Sequence, residues 1–171
     1  MVDLLLEPEP PRPLRTERLE LRAFTRDELE AVAGGRRSPG FADGFPSAEN
    51  VDWARGVIAA GEHFFTESEH TLLAMVERSS GQLVGIAGFV GPPMEGALEV
   101  EGSVVPSRQG LGLATEALRA LVERAFEDPD IEAVHASVPE DRAAARRVLL
   151  HCGFAPVPSP GSEDVYRLPR P

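Results

Sequence analysis

The sequence predicts an α+β fold, a mixed sheet with helices on both faces, and three observations carry that expectation. Short β-type runs separated by Gly and Pro turns follow one another between residues 71 and 105. Beyond residue 105, two helical stretches alternate with strand-like ones, as crossover connections do. The 171 residues are 42% hydrophobic and 26% charged, the balance of a folded chain about one domain long.

The elements follow in order. Residues 1–13 end in Pro8-Glu-Pro-Pro-Arg-Pro13, which favours an extended N-terminal arm, and residues 14–171 are taken as one domain. Leu19-Glu-Leu-Arg22 alternates as a half-buried strand does. Thr25-Arg-Asp-Glu28 is a capping box that opens a helix reaching about Ala33, ended by Gly34-Gly35. After a loop over 36–46, Ser47 caps a second helix with Val51, Ala54, Val57 and Ile58 on one face. Thr71–Val76 and Gln82–Val90 form a hairpin around Arg78-Ser-Ser-Gly81. Ala97–Val105 is a third strand of this run, with Glu99, Glu101, Ser103 and Val105 on one face. From Leu113, the residues Ala117, Leu118, Leu121, Val122, Ala125 and Phe126 make the best amphipathic stripe in the chain. Strand Ile131–Val138 and helix Arg142–His151 come next, the helix closed by Cys152-Gly153. Phe154–Val157 and Asp164–Leu168 are two short final strands.

Acidic residues outnumber Lys plus Arg by 28 to 17, a net charge of −11. Such a field repels phosphate backbones and anionic bilayers, so neither a nucleic acid nor a membrane is expected as partner, and a cationic ligand is favoured. The single Cys152 excludes an intrachain disulfide framework, and no apolar run approaches the ~18 residues of a membrane span. The start has an acidic flank and little apolar length, unlike a secretory signal, so a cytoplasmic location is expected.

One stretch carries chemistry. In Val104-Val-Pro-Ser-Arg-Gln-Gly-Leu-Gly-Leu-Ala-Thr-Glu-Ala117, a strand stops at Pro106, two glycines remove side chains, and a long helix starts at once. The first amides of that helix lack internal acceptors and lie at the positive end of its dipole. Gly110 and Gly112 let an anion approach the backbone, and Arg108 can add a charge-assisted contact. The spacing suits a phosphate or diphosphate, although an ordinary glycine-containing strand–helix connection fits the loop alone equally well. The dinucleotide fingerprint and the Gly-Lys-Ser/Thr nucleotide loop are both absent.

The segment resembles the acyl-CoA-binding motif of the GNAT N-acetyltransferases, Gln/Arg-x-x-Gly-x-Gly/Ala, which Gln109-Gly-Leu-Gly112-Leu-Ala114 matches position for position. Thr115-Glu116-Ala117, the strand Leu14–Arg22 and the closing Gly153-Phe154 are similar to the branch that acetylates N-terminal amines of ribosomal proteins. The resemblance spans roughly residues 14–168 and implies a central, mainly antiparallel mixed sheet. It further implies that the backbone of Val104 and Val105 holds the pantetheine arm of acetyl-CoA, in a gap between strands 97–105 and 131–138. The amides of Gln109, Gly110, Leu111, Gly112, Leu113 and Ala114 would hold the diphosphate; Thr115 is counted as a further cofactor-binding residue, and Arg108 and Arg142 are expected at the phosphates on their charge.

Direct acetyl transfer to an amine needs a base. The resemblance assigns that role to Glu99, with Glu101 on the same face as substitute. The family's tyrosine or serine near the last helix is replaced here by Leu149 and Ala145, which leaves the general acid unassigned. Tyr166 and Cys152 are read as packing residues, Trp53 as a core or surface-packing residue in preference to a wall of the acceptor cleft, and His63, His70, His135 and His151 as without metal-ligand spacing. No metal is expected. The resulting expectation is an acetyltransferase acting on a small cationic amine or a peptide N-terminus, with a homodimer allowed. The alternatives are a catalytically weak acyl-CoA-binding protein and an unrelated anion-binding module. Gly112→Val is expected to block CoA sterically at little cost in stability.

Overall fold

The computed structural model describes residues 10–61 and 69–171. Most of the expected N-terminal arm, and His63, therefore lie outside the described residues. Strands β1 (Leu14–Arg15) and β2 (Leu19–Arg22) open the chain as an antiparallel pair, with Leu14 opposite Leu21. Two residues are too few to show alternation, and β1 is accordingly absent from the sequence-based element order. Just before it, Pro11 is buried and Arg12 reaches Glu127 at 3.3 Å.

Helix α1 (Arg26–Ala33) begins at the expected capping box. The Glu28 amide donates to Thr25 Oγ1 at 3.1 Å, and the Thr25 amide donates to Glu28 Oε2 at 2.9 Å. Helix α2 (Ala48–Ala60) repeats the device with Ser47 and Asn50. Asn50 is also buried, and its Nδ2 donates to Ser103 Oγ at 3.4 Å. One side chain thus closes the helix start and ties α2 to the sheet.

Strands β3 (Leu72–Glu77) and β4 (Leu83–Phe89) form the expected hairpin, with a register shift between Met75 and Val76. Every residue of β4 is buried, as fits a central strand. Strand β5 (Ala97–Val104) runs antiparallel to β4 and ends in a short 3-10 turn, Pro106–Arg108. Helix α3 (Leu113–Glu127) packs against β2, β4 and β5 through Leu113, Ala117, Leu118, Leu121 and Ala125, all buried. Strand β6 (Ala133–Pro139) leads to helix α4 (Ala143–His151), which places Arg142 at the cap rather than inside the helix. Gly153, at φ +88, closes α4 in the left-handed conformation that favours glycine. Strands β7 (Ala155–Val157) and β8 (Glu163–Pro169) finish the chain.

The sheet order is β1-β2-β3-β4-β5-β6-β8-β7, and among these described strands β5 and β6 are the parallel pair, with an isolated parallel bridge from Phe41 to Leu83 outside them. The hydrophobic core centres on Leu19, Leu21, Met75, Leu83, Leu98 and Val134, each nearly or fully buried. Burying each such side chain contributes roughly 1.5–3 kcal/mol relative to leaving it in water.

Candidate active site

The site begins where two strands part. β5 and β6 keep register only from Ala97 opposite Ala133 to Glu99 opposite His135. Past that point β6 continues to Pro139, paired with β8 on its other side. The orientation of the freed edge of β5 follows from its pairing with β4. Val90 N–H donates to the Glu99 carbonyl and Val105 N–H to the Val84 carbonyl, so odd-numbered residues aim their backbone polar groups at β4. Antiparallel alternation turns those of Gly102 and Val104 the other way, toward the side that β6 has left. The backbone of Val105 is engaged with Val84 at 2.9 Å and, through its carbonyl, with the Arg108 amide at 3.0 Å. It belongs to the sheet and the following turn, which corrects the expectation that it shares the gap with Val104.

The loop after β5 ends at the foot of this gap. Gly110 and Gly112 adopt φ +75 and +81, so both need the conformational freedom of glycine. Gly112 caps α3 without a side chain, and the first helical bond runs from the Glu116 amide to the Gly112 carbonyl at 3.0 Å. The amides of Leu113, Ala114 and Thr115 therefore have no helical acceptor. Gln109 turns back on the strand, its Nε2 donating to the Val104 carbonyl at 2.9 Å.

The two arginines expected at the phosphates are engaged elsewhere. Arg108 Nε lies 3.1 Å from Glu77 Oε2 on β3, and Arg142 pairs with Glu49 at the start of α2. Arg18 touches the loop instead; it lies within the Leu14–Arg22 segment that carries the resemblance, but the sequence assigned it no role. Its Nη1 donates to the Leu111 carbonyl and its Nε to Glu116 Oε2, both at 2.7 Å.

A cavity of about 400 Å3 runs through the gap between α2 and the α3–α4 side. Glu49, Glu99, Glu101 and Glu163 line it, opposed by Arg142. Glu163 arrives from β8, beyond the reach of any local motif. Glu101 is exposed at the cavity, yet the protein around it displaces enough water that desolvation is the largest influence on its carboxyl and raises it from the ordinary value. The nearby charges of Glu99, Glu49 and Glu163 push the same way, against Arg142. Glu99 sits 3.8 Å from His135 Nε2, across the last shared register of β5 and β6.

The remaining candidates fall into place by packing. Trp53 lines the cavity and packs on Phe24, ring centres 5.4 Å apart. Tyr166 is buried on β8 opposite Ala136. The α4 face turned to the cavity is Ala145, Val148 and Leu149, while Ser103 and Ser137 are the hydroxyl side chains among its described lining. Burial raises the Cys152 thiol, and its Sγ is 3.9 Å from the Thr115 carbonyl, under the start of α3. Among the described residues no helix is long and apolar enough to cross a membrane.

The sheet thus opens after one short parallel register, with a glycine loop and a bare helix start at the opening. The chain belongs to the GNAT acetyltransferase family, whose acetyltransferase (GNAT) domain matches residues 18–155. It is 24% identical over 144 residues to the uncharacterized N-acetyltransferase YoaA of Bacillus subtilis (strain 168), covering 82% of this chain and 81% of that protein. Its fold is similar to that of the acetyltransferase from Agrobacterium tumefaciens str. C58, with 25% identity, a TM-score of 0.69, and coverage of 93% and 95%. It is also similar in fold to Mycobacterium smegmatis RimJ in complex with CoA-disulfide, with 20% identity, a TM-score of 0.61, and coverage of 95% and 88%.

Proposed function

We propose that this protein is an acetyl-CoA-dependent N-acetyltransferase acting on a primary amine of a cationic small molecule or a peptide N-terminus. The observation that carries the proposal is the parting of β5 and β6 after Glu99 and His135. The opened edge supplies the backbone N–H and C=O of Gly102 and the N–H of Val104, whose carbonyl already accepts from Gln109, and the glycine loop supplies bare amides at its foot. That combination fits the two polar ends of a CoA thioester, an amide-bearing pantetheine arm and a diphosphate.

In this role the amides around 110–115 bind the diphosphate, and Gly102 and Val104 orient the arm along β5. Bound acetyl-CoA supplies the activated acetyl group. Glu101 takes the proton from the acceptor ammonium, directly or through a water, because its environment favours holding a proton more than an ordinary carboxylate does. This reverses the expected order of the two acids, since Glu99 is turned to His135. Glu49, Glu99, Glu101 and Glu163 give the cavity an acidic wall that attracts a cationic acceptor and disfavours an anionic one.

The test is thiol release from acetyl-CoA across a panel of polyamines, aminosugars and basic peptides. Turnover is expected with at least one of them, and Glu101→Gln lowers kcat by about 100-fold or more while CoA affinity is kept. Binding of CoA without turnover on any amine would instead favour a protein that only binds acyl-CoA. The apolar α4 face of Ala145, Val148 and Leu149, which offers no proton donor to the cavity, is the observation on that side.

A further inference from the structure

We infer that Arg18, in the turn between β1 and β2, is the positioning residue that orients and charge-balances the diphosphate seat at the start of α3; this rests on the CoA reading above. The seat poses two electrostatic problems that its own residues do not solve. Glu116 places a carboxylate in the first turn of the helix, beside the position of an incoming anion. The Leu111 carbonyl is an acceptor within a loop that must present donors.

Arg18 answers both with one guanidinium. Its Nε donates to Glu116 Oε2 at 2.7 Å, and its own amide donates to Glu116 Oε1 at 2.8 Å. Thr16 Oγ1 adds a further bond to Glu116 Oε1. Burial acts to raise the Glu116 carboxyl, but the bonds from Thr16 and Arg18 and the guanidinium charge prevail and hold it below the ordinary range. Glu116 thus stays ionised with its charge balanced locally. The second contact, Nη1 to the Leu111 carbonyl at 2.7 Å, fixes a peptide plane. In a trans peptide the carbonyl and the next N–H point in opposite directions, so tying back Leu111 C=O turns Gly112 N–H outward, to the open side of the loop.

The crowding at Gly112 agrees with this arrangement. A Cβ there would meet Arg18 Nη2 at 3.3 Å, so the glycine makes room for the guanidinium as well as for an anion. Arg108 is engaged with Glu77 and Arg142 with Glu49, whereas Arg18 contacts the loop directly through the Leu111 carbonyl.

The experiment is calorimetric titration of CoA into wild type, Arg18→Ala and Arg18→Ala/Glu116→Gln, each first shown to be folded by circular dichroism. Arg18→Ala is expected to weaken CoA binding about tenfold or more, because the Glu116 charge is left bare beside the phosphates. Removing that charge in the double variant is expected to restore a substantial part of the affinity. A merely structural role for Arg18 predicts no such restoration. Unchanged affinity in Arg18→Ala, or a double variant as weak as the single one, would overturn the inference while wild-type binding left the CoA reading intact. Failure of the wild type itself to bind CoA would overturn that reading, and this inference with it.

Discussion

Glu99 and His135 face each other as the last register partners of β5 and β6, carboxylate and imidazole 3.8 Å apart. One residue further along, the strands diverge and the cavity begins. This pair marks the boundary between a closed sheet and an opened one. Glu101 lies just beyond that boundary, with other carboxylates around it.

Glu101 sets the first prediction. Its carboxyl is raised by desolvation beside the cavity and then by Glu99, Glu49 and Glu163, so it loses its proton at a higher pH than an ordinary glutamate near ~4.3. A base must be deprotonated to act, so kcat/KM is expected to rise with pH through a midpoint above that value. Profiles of wild type and Glu101→Gln from about pH 4.5 to 9 provide the check. Survival of the same acid limb in Glu101→Gln would assign it to another group.

The second prediction concerns acid stability. Burial acts to raise Glu28, but Arg22 holds both of its oxygens at 2.7 and 2.8 Å and the Thr25 amide adds a bond, so the carboxyl is lowered. A group with a lowered folded-state value contributes fully above its unfolded value near ~4.3 and is lost as pH falls through the folded one. The melting temperature of Glu28→Gln is therefore expected to fall less steeply than that of wild type below about pH 4. Thr25→Ala, which removes one half of the capping box, is expected to cost about 1 kcal/mol at neutral pH in denaturant titrations.

Two glycines outside the loop, one of them opposite Val104, give opposite signs. Gly56 lies inside α2 with nothing within 4 Å of an added Cβ, and Gly56→Ala is expected to stabilise by roughly 0.5–1 kcal/mol. A Cβ on Gly85 would fall 2.1 Å from the Ser103 carbonyl oxygen, backbone against backbone. Gly85→Ala is expected to destabilise by about 1–3 kcal/mol or more, by forcing β4 and β5 apart. Urea titrations of the two variants decide both signs.

Gly112 needs the test that its conformation dictates. At φ +81 a β-branched residue is strained whatever the space around it, so Gly112→Val is expected to lose stability together with any ligand affinity. This corrects the expectation of a purely steric block. Gly112→Ala is the milder variant, expected to cost about 1–2 kcal/mol by the same denaturant measurement, with a further push against Arg18 Nη2.

Much of this architecture was legible in the residues because local chemistry dictates it. Thr25 with Glu28, Ser47 as a cap, the stripe from Leu113 to Ala125, and Gly153 after α4 all act within a turn or two of the chain. The motif from Gln109 to Ala114 was legible for the same reason. Long-range pairing was not. The parting of β5 from β6 and the arrival of Glu163 from β8 depend on sheet order. The assignment of Arg108 to Glu77, Arg142 to Glu49 and Arg18 to Glu116 depends on which carboxylate folding brings within reach of each guanidinium. For a charged side chain, sequence spacing identifies the group but not its partner.

The proposed function requires the opened edge of β5 and the amides at the foot of the gap to act as one seat for CoA, and the most direct measurement of it is an amide chemical-shift titration of the labelled protein with CoA. The predicted result is saturable shifts concentrated on Gly102, Val104 and residues 110–115, with the amide of Val105 held in its bond to Val84. Saturation with the largest shifts elsewhere, or no shift at these residues at millimolar CoA, would contradict it.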